Sequence, residues 1–330
     1  MSAPVPAAGR TAVFIGDVAL DEYYRMEKWP TPPDKAMVQM LPPVTGGMIA
    51  NAACRYAGYS GSCELVTALN GGAVAEQLLH RLGDNGVGVS HVLTDPALND
   101  SRTMIYLVGD EHVVFIPEVG EYQVPVTPEL GRDLATAPFI YSTPMELHRL
   151  RPPGDVSGRE LLQDVRAAGV TVAVDLDVCA EGEEHDDLLS AVDIVLVNEV
   201  GMARLDARSP GGSGVEALLA KGIRTVVVTL GAGGATAHTD DGTRIAIAGI
   251  PVSAVDVTGA GDAFGSSLMY GLTAGWDLQA ALVFANAAAA RTVTEFGPQA
   301  GIGPVGDVVQ FLDNHDPAGA AVVRRYLTEA

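Results

Sequence analysis

Residues 256–265 read Asp256-Val257-Thr258-Gly259-Ala260-Gly261-Asp262-Ala263-Phe264-Gly265. This is the stretch of the chain whose residue types and spacing most directly suggest chemistry. It follows an apolar stretch, 245–255, and precedes a segment with Phe264, Leu268 and Leu272 on one helical stripe. Thr258, Gly259, Ala260 and Gly261 are small, so an anion can approach the backbone closely. Their N–H groups would sit at a helix N-terminus, where unpaired donors and the dipole favour negative charge. An acidic residue inside an anion-binding turn is a poor choice for phosphate binding alone. Asp262 makes sense if its carboxylate takes a proton from a hydroxyl that then attacks a γ-phosphorus. The neighbouring N–H groups would then stabilise charge on the transferred group. The competing reading is a glycine-rich turn with Asp262 as an ordinary early helix residue, and this segment alone leaves both open.

Other nucleotide-binding patterns are excluded. Gly259 and Gly261 lack the third glycine of a dinucleotide fingerprint, and Asp262 stands where the pyrophosphate would lie. No Gly-x-x-x-x-Gly-Lys-Ser/Thr stretch exists. With 41 acidic and 20 basic side chains the formal charge is −21, which disfavours a nucleic-acid partner. Nucleotide substrates remain open, because Mg²⁺ and backbone N–H groups can hold their phosphates. No apolar run is long enough to span a membrane, and residues 1–9 carry no basic segment followed by an apolar one. Cys54, Cys63 and Cys179 are too few and scattered for a disulfide framework or a zinc site. A cytoplasmic location is the expectation.

The elements that must position this turn are legible as a rhythm. Apolar runs at 11–15, 64–68, 139–142, 171–174, 194–197 and 225–229 are each followed, within two residues, by Gly, Asp, Asn or Pro. Helical spacing lies between them, as at 73–82 and 215–221. Strands alternating with helices imply a mostly parallel sheet covered on both faces. Two stretches, about 22–45 and 101–124, break the rhythm. The second has the look of a hairpin, 103–108 with 113–116 around Gly109-Asp110. Together they suggest a small antiparallel sheet, either a lid over the site or an ordinary edge hairpin. Residues 1–9 read as a loose tail, and 10–330 as one domain.

Residues 256–262 resemble the second signature of the ribokinase (PfkB) family of carbohydrate kinases. The first signature resembles Gly46-Gly47-Met48-Ile49-Ala50-Asn51, continuing through Ala57-Gly58. Further matches are Gly16-Asp17 with Asp21, Val228-Thr229-Leu230-Gly231 through Gly234, and the small-residue run from Phe284 to Ala290. The five occur in the family's order across about residues 11–303.

The resemblance implies a three-layer α/β/α sandwich with a mostly parallel central sheet and a small β-sheet lid. It also implies ATP-dependent phosphorylation of a hydroxyl on a sugar or sugar-like small molecule, with Mg²⁺. Asp262 matches the general base, and Gly259, Ala260 and Gly261 the anion hole. Asp21, Gly46, Gly47 and Asn51 match positions that hold sugar hydroxyls; a solvated turn for Asp21 and a helix cap for Asn51 are the alternatives. Asn198, Thr229, Gly231, Gly234 and Asn286 match the nucleotide side, with residues 287–290 letting adenine lie close to a helix. Asp256 matches a position near a monovalent-cation (K⁺) site of some relatives. A homodimer through the lid is implied as well, and exposed Val113, Val114 and Phe115 would give it a physical motive.

Several positions depart from the family's pattern. Relatives usually carry Asn-x-x-Glu where this chain has Asn198-Glu199-Val200-Gly201, and the missing Glu helps organise Mg²⁺. One residue along a helix turns a side chain by roughly 100°, so Glu199 is not a simple replacement. An Asp-x-Asn-x-Arg stretch of many relatives appears here as Asp175-Leu176-Asp177-Val178-Cys179, without the Arg. A substrate-contacting Glu of ribokinase corresponds to Glu146 or to Ser142. The acidic run 181–187 reads as solvated surface, and the seven histidines show no metal-ligand spacing. Arg102 and His112 read as solvent-facing lid residues rather than substrate contacts. A nucleoside kinase of the same family is an alternative, with Tyr23, Tyr24 and Trp29 as a shelf for a base. A vitamin-type kinase and a non-catalytic sugar or nucleotide sensor on this scaffold are others.

Overall fold

Each apolar run anticipated above becomes a strand of one sheet in the computed structural model. The structure describes residues 10–109, 111–180, 182, 186–209 and 211–327; the side chains of Glu111 and His112 also lie outside the description. The tail 1–9, part of the acidic run and the reading of His112 therefore fall outside it. The chain opens with β1 (Ala12–Ile15), β2 (Ala19–Met26), β3 (Gln39–Met40), β4 (Val44–Gly46) and α1 (Met48–Gly58). Next come β5 (Cys63–Leu69), α2 (Ala73–Asp84), β6 (Gly88–Thr94), β7 (Arg102–Val108), β8 (Glu111–Phe115) and β9 (Val124–Pro125). The middle holds α3 (Pro128–Thr136), β10 (Phe139–Ser142), α4 (Pro144–Leu147), β11 (Leu150–Arg151), α5 (Gly158–Ala167) and β12 (Thr171–Asp175). It continues with β13 (Ile194–Asn198), α6 (Glu199–Arg208), α7 (Gly214–Leu219), β14 (Thr225–Thr229), β15 (Gly234–Thr239) and β16 (Arg244–Ala248). Four helices close the chain: α8 (Ala260–Thr273), α9 (Leu278–Thr292), α10 (Val305–His315) and α11 (Pro317–Leu327).

Nine strands form the large sheet in the order β16-β15-β14-β13-β12-β10-β1-β5-β6. All neighbours from β14 to β6 pair in parallel, and the β14-β15-β16 edge is antiparallel. The buried strands alternate between two cores. Ala12 and Phe14 of β1 face α1, α2 and α8–α11. Val13 and Ile15 face α3 and α5–α7. A parallel strand covered on both faces is expected to be apolar at every position, which is how these runs read. The antiparallel edge was less legible: β16 has only exposed and half-buried positions, so its apolar signal is diluted. α5 shows the local code at its clearest, because Ser157 and Glu160 close a reciprocal capping box at its start.

The small sheet corrects one expectation. It is mixed rather than antiparallel: β2 pairs with β7 in parallel from Leu20↔Arg102 to Met26↔Val108, while β3, β4 and β8 pair antiparallel. Parallel neighbours need a long crossover. The chain between β2 and β7 supplies one by running through α1, β5, α2 and β6 before it returns. The sheet also begins at Ala19, earlier than the break in the apolar rhythm suggested, because alternating Leu20, Tyr23 and polar neighbours hide a half-buried strand. After β8, residues 116–122 form no strand and run along the cleft.

The strand order reverses direction at β1, since the chain proceeds to β5 and β6 on one side and to β10, β12, β13 and β14 on the other. Ligands in open α/β sheets bind outside the carboxyl ends of the strands at such a point. The segments leaving β1, β10, β12, β13 and β14 all reach one cleft there.

Candidate active site

The cleft has a volume of about 1130 Å³ and lies between the carboxyl ends of the large sheet and the inner face of the small one. Asp17 leaves β1, Glu146 follows β10, Asp175 ends β12 with Asp177 just beyond it, and Asn198 ends β13. Thr103, Ile105 and Val114 line it from the small sheet. Inward and outward residues alternate there, so Asp21 and Thr103, paired across β2 and β7, share the inner face.

Asp262 lies in the first turn of α8 and is buried, though it still lines the cleft. The Asn51 side-chain amide, 211 residues away, donates to Asp262 Oδ2 at 2.8 Å. Burial raises the Asp262 pKa well above the ordinary carboxylate value; the Asn51 bond opposes this, and nearby Asp175, Asp17 and Asp177 add to it. A carboxylate moved toward neutrality is a better proton acceptor than an exposed one. Gly259 caps α8 with φ 78°, a left-handed conformation, and an added Cβ would lie 2.4 Å from Pro298 O. A Cβ at Gly261 would meet nothing within 4 Å. The turn is thus backed by residue 298 on one side and open at Gly261 toward the cleft.

Asn51 stands in the second turn of α1, so it is not a cap; Gly47 takes that place with its own backbone. Asp17 fills the capping role, accepting from the N–H groups of Met48 and Ile49 at 3.1 Å each. Asp21 is buried on β2 rather than solvated in a turn. A Cβ at Gly46 would fall 1.9 Å from Asp21 Oδ2, so only glycine lets the two strands seat that carboxylate. Burial pushes the Asp21 pKa up to about 7, against a Thr103 hydrogen bond and with the help of Asp17.

On the other side Asn198, Thr229 and Gly231 line the cleft. Asn198 caps α6 through Gly201 N at 2.9 Å and donates to Asp177 Oδ1 at 2.8 Å. Gly46, Gly234, Asn286 and Asp256 stand behind the wall rather than on it. A Cβ at Gly234 would lie 2.0 Å from Ile247 O, and Asn286 donates to Ala248 O at 3.0 Å, so both hold the β15–β16 hairpin. Asp256 accepts from Thr258 N and Oγ1 and from Gly297 N, which ties the turn before α8 to residues 296–301. Both its oxygens are engaged by the chain itself. Ala287 and Ala288 are fully buried in the core.

Geometry settles several open choices. Glu146 lines the cleft, whereas Ser142 is buried and donates to Ile15 O. Arg102 pairs with Glu22 and Asp100, away from the cleft wall. Tyr23 is buried against Phe296, and Tyr24 and Trp29 cluster with Tyr106, so none of them offers a shelf to a base. Sequence reasoning missed Arg149, which donates to Glu146 Oε1 at 3.1 Å and lies over the Tyr122 ring at 4.0 Å. The i, i+3 spacing of Glu146 and Arg149 was its only signal. His148, Asp186 and Asp187 also meet, within 4.8 Å, but outside the cleft, where Asp186 already caps a turn and bonds His148. Gly201 is explained as well: a Cβ there would lie 2.4 Å from Asp177 O. The 175–179 turn occupies the space that a side chain at 201 would need.

The chain resembles known proteins over most of its length. A family model described as pfkB family carbohydrate kinase matches residues 10–303. A ribose-1-phosphate kinase described as ATP-dependent, from Halopiger xanaduensis, is 26% identical over 304 residues, 89% of this chain and 95% of that one. A ribokinase from Haemophilus influenzae is 25% identical over 92% of this chain and 99% of its own length. A 5-dehydro-2-deoxygluconokinase from Clostridium tetani is 36% identical over 104 residues, 31% of either chain. Among solved structures, Arabidopsis thaliana ribokinase complexed with ribose and ATP superposes with a TM-score of 0.78 at 22% identity. That match covers 92% of this chain and 98% of the other. An Escherichia coli relative in complex with ATP and Mg²⁺ gives 0.74 at 20%, covering 93% of this chain and 100% of its own. The fold is therefore the ribokinase fold. No helix among the described residues is long and apolar enough to cross a membrane.

Two outcomes follow from the geometry. Gly201→Glu, which restores the relatives' residue, is expected to lower stability by about 2 kcal/mol or more in urea, because the 177–178 backbone cannot recede freely; an unchanged midpoint would refute the packing account. For Asp21, a folded pKa near 7 against an unfolded 3.8 means the native state binds more protons between those values. Stability from this group is full below pH 4 and is lost as pH rises through 7. Asp21→Asn should therefore be more stable than wild type at pH 8, on the order of 2–4 kcal/mol at most, and nearly equal at pH 4. Parallel pH–stability curves would contradict this.

Proposed function

The chain belongs to the pfkB family of carbohydrate kinases, and from that premise we propose that it transfers the γ-phosphoryl group of ATP to a hydroxyl of a sugar or sugar-like small molecule, with Asp262 as general base. The supporting observation is a buried carboxylate held by Asn51 at the cleft, beside a helix N-terminus left open at Gly261. Asp262 takes the hydroxyl proton as the new P–O bond forms and the bond to ADP breaks. The amides of Gly259, Ala260 and Gly261 receive the charge growing on the phosphoryl oxygens. Asp21, Asn51 and Glu146 offer the acceptors and donors that sugar hydroxyls need, with Gly46 and Gly47 shaping the wall behind them. Asn198, Thr229 and Gly231 take the nucleotide side, supported from behind by Gly234 and Asn286.

Among the described residues, nine carboxylates line the cleft (Asp17, Asp21, Glu118, Glu121, Glu146, Asp175, Asp177, Glu199 and Asp262) against one guanidinium, Arg149. Such a wall repels a bare polyphosphate. The residues fit Mg²⁺, which is held mainly by phosphates and water with one or two carboxylates; Asp177 and Glu199 are the cleft carboxylates nearest Asn198 in the chain. Bound there, the ion would neutralise phosphate charge. The lid would exclude water over the reacting groups. Its outer face carries Trp29, Met40, Val113 and Phe115, all exposed, and we place a homodimer contact there.

ADP release should be screened across pentoses, hexoses, sugar acids, phosphosugars and nucleosides with wild type and Asp262→Asn. At least one acceptor is expected to turn over with wild type, and the variant to lose roughly two or more orders of magnitude. A variant as fast as wild type would remove Asp262 from the base role, and a panel without turnover would favour a sensor. By sedimentation the chain should be a dimer that Phe115→Glu dissociates; a monomeric wild type would dismiss the lid contact.

A further inference from the structure

Arg55 is among the largest fully buried side chains, yet no carboxylate pairs with it among the described residues. A buried charge without a partner is costly, so its surroundings must be arranged for it. Its guanidinium donates to Gly301 O, to Ala300 O at 2.6 Å and to Thr292 Oγ1 at 2.8 Å. Arg291 donates to the same Gly301 oxygen from α9. Two cations thus converge on one short stretch of backbone, and that stretch touches both halves of the reaction centre. Gln299 donates to Asn51 Oδ1 at 3.3 Å, which leaves the Asn51 amide aimed at Asp262. Residue 298 closes against Gly259, and Gly297 N is held by Asp256. Arg55 also follows Asn51 by one turn of α1, so both ends of the linkage start from a single helix.

We infer that Arg55 is a positioning residue, a fixed internal cation that gathers the 300–301 carbonyls and thereby locks Gln299 onto Asn51 and residue 298 onto the anion-hole turn. It touches neither substrate nor reacting atoms. Its effect is to keep the base and the phosphoryl-binding amides in one register, and the inference rests on the proposed role of Asp262. The Arg55 charge also favours the ionised form of Asp262, which faces Asp17 from the β1–β2 turn, Asp175 and Asp177 after β12, and Tyr141 of β10.

The test compares Arg55→Met, Arg55→Lys, Gln299→Ala and the double variant Arg55→Met/Gln299→Ala. Turnover is read as ADP release from MgATP with the best wild-type acceptor of the panel, beside urea midpoints. Arg55→Met strips the 300–301 carbonyls of donors and is expected to lower its midpoint, while kcat, read where the variant is fully folded, falls about tenfold or more. Arg55→Lys should recover part of that loss, since one ammonium reaches fewer acceptors. Gln299→Ala should lose kcat at unchanged stability, and the double variant should be no worse than about the larger single loss, because the two act through one linkage. Loosening Asn51 weakens its support of the Asp262 carboxylate, so the acid limb of kcat/KM should move to higher pH in both single variants. Normal kcat in either Arg55→Met or Gln299→Ala, or losses that simply multiply, would overturn the inference. Should Arg55→Met not fold, Gln299→Ala and its pH profile decide alone. An inactive Asp262→Asn beside a normal Arg55→Met sinks only the Arg55 role, whereas an active Asp262→Asn sinks the base assignment itself.

Discussion

One hydrogen bond, from the Asn51 amide to the Asp262 carboxylate, brings together parts of the chain 211 residues apart. A carboxylate buried this deeply is driven toward its neutral form, and a neutral acid is no base. The Asn51 donor restrains that drift, while the three carboxylates around it push the other way. Burial and its acidic neighbours raise the proton affinity of Asp262 and the Asn51 donor limits that rise, a balance on which the base role proposed for it depends. Much of the surrounding architecture sets where those two side chains stand. α1 is fixed at its start by Asp17, α8 is fixed at its start by Gly259, and residues 296–301 bridge them.

The acidity of the cleft gives the rest of the chemistry its direction. Among the described residues, nine carboxylates and a single guanidinium line the walls, and these offer no ready-made cationic clamp for phosphates. Under the proposed function, phosphate recognition would fall to backbone amides and to a metal carried in with the nucleotide. The crowding at Gly201 belongs to the same picture. The turn of Asp175 to Cys179 packs against the start of α6 so closely that the relatives' Glu has no room, and Asp177 is instead held in the cleft by Asn198. The two departures from the family pattern thus lie in contact with each other.

The small sheet has two distinct faces because alternate residues point opposite ways. Its inner face carries Asp21, Thr103, Ile105 and Val114 to the cleft; its outer face carries the Tyr24, Trp29, Tyr106 and Phe115 cluster. One short sheet thus lines the cleft on one side and presents an apolar surface on the other. The parallel pairing of β2 with β7 ties its two excursions into one unit despite the long stretch of chain between them.

The sequence by itself determined the parallel sheet, the glycine-rich turn at the head of α8 and the residues most suited to chemistry there. Buried parallel strands are apolar at every position, and turns that bind anions must be small; both are local demands and leave local marks. Tertiary structure alone decided that Glu146 rather than Ser142 faces the cleft, that Arg149 joins it, that the aromatic residues of the lid turn away, and that the small sheet is mixed. It also decided why Gly201 is glycine and what a buried Arg55 holds. These are contacts between segments far apart in the chain, and neither residue type nor spacing records which distant backbone a side chain will meet.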